Sequence, residues 1–181
     1  MIKTDTILGV EVKVLKSFPD DRGFFREVFR YNESLFEDGK FGQWSHSKMC
    51  EGVVKAWHYH HKQTDWWYVP IGLLKVVLID NREESPTFRN RLEFFLGESD
   101  SAQIKAQTAA VRIPPGVLHG ARVLTPEAHL FYITSETYDP DDEGRIPFND
   151  PEIGYNWGEN PIVSQRDTEA HTPPYTRQLI S

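Results

Sequence analysis

The sequence predicts an all-β protein, built as a sandwich or barrel and carrying only a few short helices. Short apolar runs recur along the chain and end at turn-forming residues, which is the pattern of many short strands. Aromatic residues make up 13% of the 181 residues, and aromatic side chains suit pleated strands. The 12 glycines and 12 prolines supply the turns that such a fold needs.

The predicted strands follow one another closely. The first, at residues 10–15, alternates in polarity, and two short apolar pairs at 24–25 and 28–29 follow a turn. Further strands are predicted at residues 66–69, 73–79, 92–96, 108–113 and 129–134. Helix signals are confined to residues 32–36 and to a short stretch after Ser164. Because no domain boundary is visible, residues 1–181 are expected to form a single domain.

Composition narrows the functional class. The net charge is −7 and no segment concentrates Lys and Arg, so nucleic acid is not an expected partner. Cys50 is the single cysteine, which fits a reducing compartment. The N-terminus lacks the apolar core of a signal peptide, and no apolar run is long enough to span a membrane. The protein is therefore expected to be cytoplasmic.

Two segments carry residues that are suited to catalysis or to metal binding. His58 and His60 stand two apart in a predicted strand, so their side chains should share one face. Asp65 follows them, and a turn delivers His119 at the start of a later strand. By contrast, the acidic run at residues 139–143 is expected to be a solvated loop.

These segments have the spacing of the two cupin motifs. The first motif is met by Gly52, His58, His60, Asp65 and Gly72, and the second by Pro114, Gly116 and His119. The chain thus resembles the cupin superfamily, which implies a double-stranded β-helix, or jelly roll. In metal-binding cupins, three histidines and the acid hold one metal, so His58, His60, Asp65 and His119 are an alternative site for one divalent transition metal.

A second resemblance extends along nearly the whole chain. It is carried by residues 20–27, 43–47, 52–59, 80–87, 114–120, 148–157 and 164–167. In these segments the chain resembles the dTDP-4-dehydrorhamnose 3,5-epimerase family, as a divergent member. The resemblance implies an isomerase of polysaccharide biosynthesis, a homodimer without a cofactor, that acts on a nucleotide-diphosphate-linked 4-keto-6-deoxy sugar. Such an enzyme removes a proton beside the ketone, at C3, C5 or both, and returns it through an enolate.

The resemblance also implies roles for individual residues. His58 corresponds to the general base, Asp167 to the carboxylate that orients it, and Tyr132 to the general acid. Positions that contact substrate in the family, partly across a dimer interface, are matched by Arg22, Phe25, Glu27, Gln43, Lys55, His119 and Tyr138.

Three positions depart from the family pattern. Lys55 replaces an arginine, His60 replaces a glutamine, and Asp65 replaces a lysine near the reacting ketone. The last two changes approach the metal-binding cupin pattern, so two hypotheses compete for His58. It acts as a free base in a cofactor-free epimerase, which is the main prediction, or as a ligand in a metal-dependent isomerase or oxygenase. A catalytically silent sugar-binding cupin is the third alternative.

Overall fold

A computed structural model describes residues 6–36, 40–98 and 104–171. Its strands within these residues are β1 (Glu11–Val14), β2 (Ser17–Asp20), β3 (Gly23–Arg26), β4 (Gln43–Cys50), β5 (Val54–His60), β6 (Asp65–Ile71), β7 (Leu73–Asp80), β8 (Arg91–Gly97), β9 (Ala109–Ile113), β10 (Val117–Val123), β11 (Glu127–Thr134) and β12 (Glu143–Arg145). The helices described are two 3₁₀ helices, Ser34–Phe36 and Gln165–Thr168. The predicted all-β class with a few short helices is therefore confirmed.

The strands form two five-stranded antiparallel sheets and one hairpin. The first sheet has the order β1-β9-β6-β11-β4, and the second has the order β12-β5-β10-β7-β8. The hairpin pairs β2 with β3. The two sheets face each other as a sandwich, which confirms the predicted double-stranded β-helix.

The main core lies between the sheets. On β7, Leu74, Val76 and Leu78 alternate along the strand and are fully buried against side chains of the first sheet, such as Val69 and Val111. Side chains two apart on a strand share a face, so this alternation gives β7 a continuous apolar surface. Burial of each large aliphatic side chain contributes roughly 1.5–3 kcal/mol.

The C-terminal segment, which comprises residues 146–171, covers the outer face of the second sheet. Trp57 of β5 packs against Trp157, with ring centroids 5.0 Å apart. Gly120 of β10 makes room for this contact, because a Cβ at Gly120 would lie 2.7 Å from the Trp157 ring. Backbone hydrogen bonds join Trp57 to Ile146 (3.0 Å) and Val54 to Ile162 (2.9 Å), so the segment is held along β5.

A buried carboxylate anchors the loop after β7. Asp80 is inaccessible to solvent and accepts hydrogen bonds from Arg82 (2.7 Å), Ser85 (2.6 Å) and Thr87 (2.6 Å). Burial by itself would raise the pKa of Asp80, but these hydrogen bonds outweigh burial and lower its pKa to about 2. Asp80 is therefore ionised at neutral pH and fixes the loop.

The described ranges contain no helix that is long and apolar enough to cross a membrane. Residues 1–5, on which the expectation about a signal peptide rests, lie outside the described residues.

Candidate active site

A pocket with a cavity volume of about 460 Å³ opens between the two sheets. β4 is an edge strand of the first sheet and β12 is an edge strand of the second, and the pocket lies on the side of these two strands. The C-terminal segment closes one wall through its 3₁₀ helix, Gln165–Thr168. Seven of the ten predicted site residues line this pocket: His58, Tyr132, Asp167, Gln43, Lys55, His119 and Tyr138.

His58 and Asp167 form a hydrogen-bonded pair at the wall of the pocket. The Nε2 atom of His58, on β5, lies 2.6 Å from Oδ1 of Asp167. The Asp167 side chain is 5% exposed, whereas the His58 side chain is 22% exposed and reaches the cavity. Burial would raise the pKa of Asp167, but the hydrogen bonds from His58 and Ser164 outweigh it and hold that pKa below its ordinary value. Asp167 is thus a carboxylate at neutral pH.

Glu143 is a second carboxylate beside His58, and sequence reasoning missed it. Its Oε1 atom lies 3.9 Å from Nδ1 of His58, and its Oε2 accepts a hydrogen bond of 2.6 Å from Arg145. Burial would raise the pKa of Glu143, yet the contacts with Arg145 and His58 lower it below its usual range. The His58 ring therefore stands between two ionised carboxylates.

The acidic run at residues 139–143 is only partly a solvated loop, so that prediction was wrong in its second half. Asp142 is 4% exposed, and its carboxylate accepts hydrogen bonds from the backbone amides of Lys62 (3.0 Å) and Gln63 (3.2 Å). Glu143 begins β12, which pairs with β5. The missed signal is the Glu-x-Arg alternation of β12, which places Glu143 and Arg145 on the same face.

Tyr132 reaches the pocket from the other sheet. It lies on β11, paired with Ser45 of β4 and Trp67 of β6. His58 belongs to β5 of the second sheet, so the imidazole and the phenol line opposite walls of one cavity.

His60, Asp65 and His119 form a separate group within the pocket. Their ligand atoms all lie within 4.8 Å of one another. Of the four residues predicted as an alternative metal site, His58 is not in this group, and its Nε2 lies 2.6 Å from Asp167. Burial lowers the pKa of His119 to about 4, so its imidazole is neutral at neutral pH. The Nδ1 atom of His119 lies 3.2 Å from the Val117 carbonyl oxygen, which favours the tautomer with a free Nε2.

Polar residues that the sequence predicts as substrate contacts surround the mouth of the pocket. Lys55 donates a hydrogen bond of 2.9 Å to Ser47 Oγ. Gln43 accepts a hydrogen bond of 3.2 Å from the backbone amide of Tyr138. Arg166, which sequence reasoning missed, hydrogen-bonds to the Tyr138 side chain. Two cations therefore stand beside the opening, where they suit an anionic group of a ligand.

The other three predicted substrate contacts lie outside this pocket. Arg22 is on the β2–β3 turn, where it pairs with Asp20, and its side chain is 84% exposed. Phe25 is 64% exposed, and Glu27 pairs with Arg30. One chain alone does not bring Arg22, Phe25 and Glu27 to the cavity.

The arrangement suits proton transfer at a carbon atom. A histidine oriented by a carboxylate is a common general base, and a tyrosine hydroxyl on the facing wall can supply a proton from the opposite direction. The Lys55 side chain offers a cationic group that can stabilise developing negative charge.

Comparison with known proteins agrees with this geometry. The family model of dTDP-4-dehydrorhamnose 3,5-epimerase matches residues 4–173. The spore coat polysaccharide biosynthesis protein SpsL of Bacillus subtilis is 46% identical over 153 residues, which are 82% of this chain and 95% of that protein. The dTDP-4-dehydrorhamnose 3,5-epimerase of Pseudomonas aeruginosa is 36% identical over 161 residues, 84% of each protein.

A solved structure gives the same result. The dTDP-6-deoxy-D-glucose-3,5-epimerase of Legionella pneumophila, in complex with dTDP-4-keto-L-rhamnose, aligns with a TM-score of 0.77 and 30% identity. The alignment covers 90% of this chain and 87% of that one. Because the similarities extend over most of each protein, the chain belongs to the dTDP-4-dehydrorhamnose 3,5-epimerase family of isomerases.

Proposed function

We propose that this enzyme inverts C3, C5 or both carbons of a nucleotide-diphosphate-linked 4-keto-6-deoxy sugar. The observation that carries the proposal is the position of the His58–Asp167 pair on one wall of the pocket and of Tyr132 on the other. Inversion at a carbon beside a ketone needs a base on one face of the sugar and an acid on the opposite face. A sugar bound between the two sheets meets both groups.

His58 acts as the base through Nδ1, because Asp167 holds the proton on Nε2. Nδ1 removes the proton next to the ketone, and the electron pair moves onto the ketone oxygen to give an enolate. Glu143 lies 3.9 Å from Nδ1 and, with Asp167, stabilises the imidazolium that forms. Tyr132 then donates its hydroxyl proton to the opposite face of the carbon.

The nucleotide part of the substrate binds at the mouth of the pocket. Lys55 and Arg166 pair with the diphosphate, and Gln43 and Tyr138 contact the nucleoside or the adjoining sugar. The Legionella relative was solved with a dTDP-sugar, and we assign the same nucleotide to this enzyme. The product serves polysaccharide biosynthesis, as the name of the Bacillus relative suggests.

The proton transfers use side chains alone, so abstraction by His58 requires no cofactor. With a single cysteine, Cys50, the chain fits a reducing compartment, and we assign the enzyme to the cytoplasm.

The active form is a homodimer in which each β2–β3 hairpin completes the pocket of the other copy. The hairpin exposes Phe24 (60%) and Phe25 (64%), and Trp44 on the edge strand β4 is 65% exposed. Exposed aromatic side chains in this number are typical of a protein interface. A partner hairpin would also supply the Arg22 and Phe25 that are missing from the pocket of one chain.

Solvent exchange tests this function directly. The protein is incubated in D₂O with a dTDP-linked 4-keto-6-deoxy sugar, and deuterium at C3 and C5 is followed by NMR. His58→Ala should slow exchange by about 10²–10⁴-fold, while His46→Ala, on the outer face of β4, should match the wild type. Near-native exchange in His58→Ala contradicts the assigned base. A wild-type protein that binds the sugar without any exchange would instead be a sugar-binding cupin.

A further inference from the structure

Three side chains at the inner part of the pocket are not used by the proton transfers. His60 on β5, Asp65 on β6 and His119 on β10 come from both sheets and converge until their ligand atoms lie within 4.8 Å. Asp65 is 4% exposed and His119 is 5% exposed. Two imidazoles and one carboxylate form a donor set that suits divalent first-row transition metals.

The buried carboxyl group of Asp65 is surrounded by neutral hydrogen-bond donors. Its two carboxylate oxygens accept hydrogen bonds from the Gln63 amide (2.7 Å) and the Trp67 indole (3.1 Å). Among the described residues, no lysine or arginine forms an ion pair with it. An uncompensated charge in such a position is costly, so the site favours a cation.

Hydrogen bonds with neighbouring groups orient Asp65 and His119 in a way that suits binding of a metal ion. Nδ1 of His119 donates a hydrogen bond to the Val117 carbonyl oxygen, which leaves the lone pair of Nε2 available to bind a metal ion. Trp67 and Gln63 fix both oxygens of Asp65, as outer-shell hydrogen bonds do for ligating carboxylates. The same Gln63 amide nitrogen lies 3.1 Å from Nε2 of His60, so one group contacts both Asp65 and His60.

We infer that His60, Asp65 and His119 bind one divalent transition-metal ion beside the His58–Asp167 pair. His58 is left out of the ligand set, because it does not belong to the group of atoms within 4.8 Å and its Nε2 bonds to Asp167 at 2.6 Å. The base and the ion therefore coexist, and the two hypotheses for His58 no longer compete. A catalytic contribution rests on the proposed function: a bound ion would withdraw electron density from a carbonyl oxygen of the substrate and would assist the proton abstraction by His58.

Cobalt binding without substrate tests the site. The protein is treated with a chelator, dialysed and titrated with Co²⁺, while visible absorption and elemental analysis report coordination and stoichiometry. We expect about one ion per chain. His60→Ala and Asp65→Asn should each weaken binding at least about 100-fold, because each removes a ligand or its charge. His58→Ala should bind Co²⁺ as the wild type does.

Two controls make the result decisive. His46→Ala removes the exposed imidazole whose Nε2 lies 2.9 Å from Nδ1 of the half-buried His129, and this pair outside the pocket is the obvious place for adventitious cobalt. Loss of binding in His46→Ala, or the absence of stoichiometric binding in the wild type, overturns the inference. An equal loss in His58→Ala overturns the three-ligand assignment.

A second measurement covers variants that fold poorly. A ligand that binds only the native state raises the unfolding temperature, so Co²⁺ should raise that of the wild type and of His58→Ala but not of Asp65→Asn. Because both readouts are made without sugar, a metal-binding protein with no epimerase activity would refute the proposed function and leave this inference intact.

Discussion

His58 and Tyr132 face one cavity from different sheets, His58 from β5 and Tyr132 from β11. Because β5 and β11 are not hydrogen-bonded to each other, the distance between the His58 and Tyr132 side chains is set by how the two sheets pack. The proposed acid, Tyr132, and the proposed base, His58, are thereby kept on opposite sides of a ligand in the pocket.

Tyr132→Phe should separate proton removal from inversion. His58 can still abstract the proton and, after exchange with solvent, return deuterium to the same face. We expect recovered substrate that is deuterated but not inverted, and product formation slower by about 10²–10⁴-fold. NMR of the recovered sugar measures both. Tyr155→Phe is the matched control, since Tyr155 bonds to Glu93 outside the pocket. Equal loss of exchange and inversion in Tyr132→Phe would argue against the assigned acid.

Asp167→Asn should lower kcat by about 10²-fold, at the low end of the range for acid–base groups, because the base remains but loses its orienting carboxylate. The KM for the sugar nucleotide should change little. Asp139→Asn alters another carboxylate of the pocket that does not bond to His58 and should retain near-native kcat. Steady-state kinetics on both variants measure kcat and KM. An unchanged kcat in Asp167→Asn would exclude the orienting role proposed for Asp167.

Mixed dimers test whether the hairpin serves the partner's pocket. Equimolar His58→Ala and Phe25→Ala chains, allowed to reassort, give heterodimers with one intact site and one doubly altered site. Activity should rise to about a quarter of the wild-type value, above that of either parent. Mixing His58→Ala with Asp167→Asn leaves no intact site and should give no recovery. Absence of recovery in the first mixture would place Phe25 elsewhere.

Asp80→Asn should destabilise the fold in a pH-dependent way. The folded-state pKa of Asp80, about 2, lies below its ordinary value of 3.8. Its charge therefore stabilises the native state above about pH 4, and this contribution is lost as the pH falls towards 2. The variant should lose roughly 2 kcal/mol of unfolding free energy at pH 7 and little at pH 2. Asp20→Asn, at the same spacing from Arg22 on an exposed turn, should cost much less. Urea titrations at both pH values provide the measurement.

The sequence predicted best the strands that bury a continuous apolar face. Residues 73–79 read clearly as a strand because both faces of β7 pack in the interior. In contrast, β4 was not predicted, since Gln43 and Ser47 point into the pocket while Trp44 and His46 point outward. A strand that lines a wet cavity lacks the apolar alternation on which such predictions depend.

The site was predicted mainly through family resemblance, and local geometry shows why. Simple alternation along β5 would put Lys55 and His58 on opposite faces. A register shift against β10, where His119 pairs with His58 and Ala121 with Lys55, inserts one extra residue and turns both side chains to the pocket. No rule applied to one strand predicts such a bulge. The His58–Asp167 contact likewise depends on long-range packing.

The docking of the C-terminal segment on β5 makes the His58–Asp167 pair depend on a part of the chain that is synthesised long after β5. Asp167 follows His58 by 109 residues, so β5 leaves the ribosome long before its carboxylate partner exists. The two sheets can close, and near-ultraviolet signals from their tryptophans can develop, while the base still lacks its orienting group. In refolding experiments, recovery of turnover should therefore lag behind sheet formation, and the delay measures the final docking step.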